Sequence, residues 1–179
     1  MKKIVLSALV LVTLAACGKG GAEKYVGYWQ EKDDKYVRIV EIKKEGGQYF
    51  LDRNILSKGE RKPKPYLLTE KDGELVHNNG LTDVPLKLSD DGNSLFVSKN
   101  SYQKIDAATK DKLVAHEESC RKLADEYFAE DKQARSGKSI FSDEYKSAEA
   151  AIKQKYKAQF AELKKESKCN NVPFSLEHD

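Results

Sequence analysis

Four Gly-centred turns constrain this chain more than any other feature: Glu45-Gly46-Gly47, Asp72-Gly73, Asn78-Asn79-Gly80 and Asp90-Asp91-Gly92-Asn93. Each supplies the positive-φ positions that tight hairpins require. Between and around them lie short runs rich in Tyr, Val, Ile, Leu and Phe, at 25–30, 36–43, 48–54, 66–69, 74–77, 84–88, 94–98 and 102–105. Such residues favour strands, and Leu86 and Leu88 alternate with Lys87 as a half-buried strand should. Short strands at regular spacing predict an eight-strand antiparallel meander over 25–105, curled into a small barrel or half-barrel. Strands this short leave an interior filled by their own Tyr, Leu, Ile and Phe side chains.

After Ile105 the pattern changes. Asp106 is suited to cap a helix, and the chain from Ala107 is rich in Ala, Glu, Lys and Leu, which form helices readily. Leu113, Cys120, Ala124 and Tyr127 recur at helical spacing, with Leu123 and Phe128 widening the stripe. Gly137 offers a stop, and Ser142-Asp143-Glu144 opens a second helix with an acid-rich first turn. Tyr145, Ala148, Ile152, Tyr156, Phe160 and Leu163 form its apolar face. The fold class is therefore α+β: a barrel, a helical hairpin over 106–170 and a tail over 171–179.

The amino terminus has a different character. Lys2 and Lys3 precede an apolar run from Ile4 to Leu14, which is too short for a spanning helix of about 20 residues. It has the form of a secretory signal. Leu14-Ala15-Ala16-Cys17 resembles the lipobox of bacterial lipoproteins. That resemblance implies a signal peptide over 1–16, acylation of Cys17 and attachment to a lipid bilayer. Residues 18–23 are Gly-rich and polar, so 17–24 is expected to be the acylated Cys and a flexible tether. The residue after Cys17 is Gly18 rather than Asp, which by analogy with enteric-type lipoproteins implies the outer membrane, facing the periplasm.

A second resemblance lies in the barrel region. Gly27-Tyr28-Trp29 is similar to the Gly-x-Trp signature of lipocalins, and the run Leu95-Phe96-Val97…Tyr102-Gln103-Lys104-Ile105 resembles the closing strands of lipocalin-like lipoprotein barrels. It implies structural roles for Gly27, Trp29 and Lys104: the Trp plugs one end, and the basic side chain lies across its ring.

In an oxidising periplasm the two cysteines left after acylation, Cys120 and Cys169, can pair. Buried thiols or a metal pair are the alternatives, although no His stands at zinc-like spacing from either. Sixteen residues from Cys120 to Ser136 make about 24 Å of helix, and 27 from Ser142 to Cys169 about 40 Å. Residues 137–141 just span the difference when extended, and fraying beyond Lys165 would ease it.

Loss of Lys2 and Lys3 with the leader takes the basic count from 32 to 30, against 29 acidic residues. A balance this even argues against nucleic-acid binding. Catalysis would need a nucleophile, a base and an orienting group. His116 lies one helical turn before Cys120, a pattern that invites thiol chemistry, but a disulfide-bonded Cys120 could not serve. His77 is expected at an exposed strand end and His178 in the tail. No phosphate loop, metal cluster or cofactor motif is evident. The expectation is a non-enzymatic envelope binding module for a protein or cell-wall partner, with a carrier of a small apolar ligand as the alternative. The irregular segment 57–65 carries Lys58, Arg61, Lys62 and Lys64 against Glu60. It reads either as a basic partner-binding lip or as a solvated edge that discourages sheet aggregation.

Overall fold

A computed structural model describes residues 21–32, 35–53, 55–56 and 64–177. Eight antiparallel strands close into a barrel, each paired with its neighbours in sequence and the last with the first. They are β1 (Gly27–Glu31), β2 (Ile39–Glu45), β3 (Gln48–Asp52), β4 (Tyr66–Lys71), β5 (Glu74–Asn78), β6 (Asp83–Leu88), β7 (Ser94–Val97) and β8 (Asn100–Ile105). Closure pairs Trp29 with Lys104 and Glu31 with Tyr102, so no strand edge is left between β1 and β8. All four predicted turns form, with positive φ at Gly46, Gly47, Gly73, Gly80 and Gly92.

Alternation along the strands decides what fills the barrel. Trp29, Val40, Ile42, Leu51, Leu68, Leu75, Leu86, Leu95 and Tyr102 point inward and pack as one buried cluster with Tyr49. The inward direction follows from register, since directly opposed residues share a face: Trp29 opposes Val40, Ile42 opposes Leu51, and Leu75 opposes Leu86.

Two segments differ from the expectation. The predicted tether is part of the barrel from Gly21 onward, because 21–25 form a short 3-10 helix whose Ala22 and Tyr25 are buried. Tyr25 therefore belongs to the end plug and not to the first strand. Its carbonyl accepts a 2.9 Å hydrogen bond from Trp29 Nε1, which satisfies the one polar atom of a fully buried indole. The carboxyl-terminal tail is also structured. A short helix, α3 (Phe174–Glu177), buries Leu176 against the hairpin, and the Ser175 hydroxyl meets Tyr127 Oη at 2.7 Å. His178 lies outside the described residues.

The hairpin consists of α1 (Ala107–Arg135) and α2 (Asp143–Leu163). Asp106 caps α1 by accepting from the Thr109 N–H, and Ser142 caps α2 by accepting from the Tyr145 N–H. The seam joins Cys120, Leu123, Ala124 and Tyr127 to Ile152, Tyr156 and Phe160. Phe128, expected to widen it, is 56% exposed. Tyr127 and Tyr156 fill the seam there edge-to-face, with ring centroids 5.5 Å apart. One residue further along the helix is a turn of about 100°, which carries Phe128 out of that seam.

No described helix is long and apolar enough to cross a membrane.

Candidate functional site

Sequence-predicted positions divide into three groups. Cys17, Lys58, Arg61 and Lys62 lie outside the described residues. Lys64 is described and is exposed, just before β4. The remaining positions fall at two structural centres.

The first centre is the closed end of the barrel. Lys104 Nζ sits 4.9 Å from the centroid of the Trp29 ring and donates to the Lys24 carbonyl at 3.3 Å. Gly27 is required here by its backbone and not by space: a Cβ would stand 3.5 Å from Lys104 Cε, an ordinary contact, but the φ is 137°. Residues that bear a side chain rarely adopt such a backbone angle. Glycine, tryptophan and lysine thus act together to seal one end. A cleft of about 640 Å³ adjoins this end, lined by Lys24, Tyr25, Glu74 and Lys87 among others.

The second is the disulfide. Cys120 and Cys169 are bonded, with Cα atoms 5.6 Å apart. The length mismatch between the two arms is absorbed because α2 ends at Leu163 and 164–168 turn back across the seam. His116 Nε2 meets the Leu163 carbonyl at 2.9 Å, and Nδ1 lies 3.6 Å from Cys120 Sγ. The carbonyl can only accept, so Nε2 carries a proton, and Nδ1 faces the sulfur. The three side chains cluster within 4.8 Å, but sulfurs bonded to each other present no thiolates for a metal or for nucleophilic attack. His116 instead fastens the end of α2 to α1. A cleft of about 500 Å³ runs beside it, lined by Leu113, His116, Ser119 and Leu163 among others.

The mouth of the barrel is a further site, which sequence reasoning missed. There the inward-facing positions turn from apolar to polar within one step of each strand. Trp29 is followed on its face by Glu31, Leu51 by Arg53 and Leu75 by His77, while Arg38 precedes Val40, Tyr66 precedes Leu68 and Asn100 precedes Tyr102. Glu31, Arg38, Arg53, Tyr66 and Asn100, with Val40 and Tyr102 as its floor, enclose a recess of about 300 Å³. Glu31 is buried and holds the Arg38 guanidinium at 3.0 Å. The Arg53 guanidinium lies over the Tyr66 ring, 5.9 Å from its centroid, and has no carboxylate partner among the described residues. His77 stacks edge-on against Tyr66 at 4.7 Å, and its Nδ1 is buried without a hydrogen-bond partner. Burial, and then the Arg53 charge, hold the His77 imidazole below its ordinary value, so it is neutral at neutral pH. The expected exposed strand end is thus half-buried. A signal was present in the sequence: each of these residues lies two positions from a core residue and so shares its face.

The hairpin grips two neighbouring stretches of this mouth, one before β2 and one after β3. The Asn170 side chain, next to Cys169, accepts from the Val37 N–H at 2.8 Å and donates to the Val37 carbonyl at 2.7 Å, as a paired strand would. Buried Glu117 accepts from the Asn170 N–H at 3.1 Å and from the Asn171 side-chain amide. Arg121 donates to the Leu56 carbonyl at 3.1 Å. Val37 adjoins Arg38, and Leu56 lies on the segment after Arg53, so the helices brace the backbone that carries both mouth arginines.

Compared with known proteins, the chain matches no family model, no curated protein and no solved structure.

Proposed function

We propose that this protein is a non-enzymatic lipoprotein of the bacterial envelope, anchored through acylated Cys17, whose barrel mouth is the binding surface for a protein or cell-wall partner. The observation that carries the reading is the mouth itself: polar and cationic side chains converge there on a scaffold braced from outside. Loops and rims on rigid scaffolds are where binding groups concentrate. The segment that bears Lys58, Arg61, Lys62 and Lys64 connects β3 to β4, between Arg53 and Tyr66 of the recess wall. Its charge adds to that of the rim and suits an anionic partner. The lipobox resemblance supports the anchor, and Gly18 supports the outer membrane. An apolar-ligand carrier draws less support, since the barrel interior is a single packed cluster and the recess above it is charged.

Replacing Lys58, Arg61, Lys62 and Lys64 together by Ser tests the reading in intact cells. With Cys17 in place, crosslinking to the partner captured by the unaltered protein should fall and should weaken as salt rises, because exposed charges are screened within about 8 Å at physiological ionic strength. Undiminished crosslinking by the fourfold variant would refute the rim as the contact surface. Fatty-acid label retained by a Cys17→Ser protein would refute the anchor.

A further inference from the structure

We propose that the recess at the barrel mouth is a receptor for a single small carboxylate group attached to a short apolar body, with Arg53 as its charged anchor. This deepens the binding-module reading and rests on it only in taking the mouth as the contact surface.

Two guanidiniums and one carboxylate line the recess, and the carboxylate is spent: Glu31 is buried and bonded to Arg38 at 3.0 Å. Arg53 is left as a cation whose described neighbours are an aromatic face and a neutral imidazole. A guanidinium presents a planar fork of donors that matches a carboxylate bidentately. Lysine-type point charges would not discriminate in this way, and the described part of the recess wall contains none.

Shape and chemistry then limit the rest of the ligand. The recess holds about 300 Å³, which is at the small end for ligand sites. Its floor is Val40 and the ring of Tyr102, and Tyr66 forms a wall, so the body of the ligand meets apolar and aromatic surface. The polar groups are few and convergent. Asn100 Nδ2 donates to Tyr102 Oη at 3.4 Å, which leaves that hydroxyl's proton directed elsewhere.

Preorganisation completes the case. Arg38 is fixed by Glu31, its neighbour Val37 is clamped by Asn170, and Leu56, beyond Arg53, is held by Arg121. A rim held in this way gives up little freedom when it closes on a ligand, and that favours affinity.

The same carboxylate chemistry occurs in a free organic acid and at a peptide carboxyl terminus, and the experiment separates them. The full chain, purified in a non-ionic detergent, is titrated calorimetrically with hydrocinnamate, N-acetyl-alanyl-alanine, the amide of each, and inorganic phosphate. The carboxylates should bind and their amides should not. A preference for the dipeptide assigns the site to a chain terminus, and a preference for hydrocinnamate assigns it to a free acid. Arg53→Ala and Arg53→Gln should each weaken binding by at least about tenfold, the scale of a lost charge-assisted hydrogen bond. Lys87→Ala, on the outer face of β6, should leave it unchanged. Binding should also raise the His77 imidazole pKa seen by NMR, as the ligand charge neutralises Arg53. Equal binding of acid and amide, phosphate bound as tightly as either acid, affinity that survives both Arg53 changes, or no heat at about 10 mM ligand (tenfold above a millimolar Kd) would each overturn the assignment. If carboxylates fail to bind while the crosslinked partner is still captured, only this inference falls.

Discussion

In the barrel every strand is hydrogen-bonded on both sides, and the interior is one apolar cluster sealed by Trp29. In the hairpin two helices share one seam, and the ends of that seam are held by a disulfide, by His116 on the Leu163 carbonyl and by a short helix folded back from the tail. The barrel thus holds itself by closure, which leaves no edge and distributes the load around the ring. The hairpin has no closure to rely on. Two helices this polar bury too little surface to stand alone, and the chain supplies covalent and polar ties instead. Those ties do more than support the hairpin, because Asn170 and Arg121 extend them to the barrel rim.

Three experiments would break or sharpen this contrast. Trp29→Ala removes the plug and leaves a cavity at the sealed end of the buried cluster, and should cost about 3–5 kcal/mol. Urea denaturation should show the loss in the barrel, with the disulfide-closed hairpin retaining far-UV helical signal. Concerted loss of both parts at one lower midpoint would show that the barrel and hairpin form a single cooperative unit.

Replacing Cys120 and Cys169 together by Ser opens the loop between them, whose ends are 49 positions apart in sequence. Closure of a loop that long is worth up to about 4 kcal/mol in the chain-entropy model. The effect should be the converse of the first: hairpin amides lose hydrogen-exchange protection while strands β3 to β8 keep theirs. The amide of Val37 is the telling site, since Asn170 follows Cys169 directly. Protection at Val37 unchanged in the double variant would show that the brace does not depend on the staple.

The smallest expected effect is a pH dependence. His77 titrates below its ordinary value of 6.5 when folded, because burial and then Arg53 disfavour its charged form. As pH falls from neutrality the unfolded chain therefore takes up this proton first. The His77 contribution is fully present above 6.5 and declines as pH drops through 6.5 toward the folded value. Thermal unfolding of the native protein should lose stability over that interval relative to His77→Gln. Parallel curves for the two proteins would mean that the mouth does not desolvate the ring.

Much of this architecture was legible in the chain. Turn glycines marked five of the positions where φ is positive, Asp106 and Ser142 announced both helix starts, and alternation at Leu86-Lys87-Leu88 gave the side that faces inward. These are local preferences, each decided within a few residues by backbone sterics or by an orphan N–H, and they survive any tertiary context. The pairing of Cys120 with Cys169 was readable for another reason: once the lipobox resemblance sets Cys17 aside, two thiols admit one partner each.

What tertiary structure alone decided lies where distant segments compete for one space. Ala22 and Tyr25 look like the end of a tether until an open barrel end and the Trp29 indole N–H require a cover. Phe128 looks like seam until Tyr127 and Tyr156 have filled it. The mouth residues are scattered over β1 to β5 and β8 as isolated polar positions, and nothing in sequence brings Arg38 near Arg53. Only closure of the sheet, with a register that opposes Glu31 to Tyr102 and Leu68 to His77, turns six strand ends into one ring. Side-chain alternation is a property of each strand alone, but the recess depends on long-range pairing, which the energetics of the whole barrel selects.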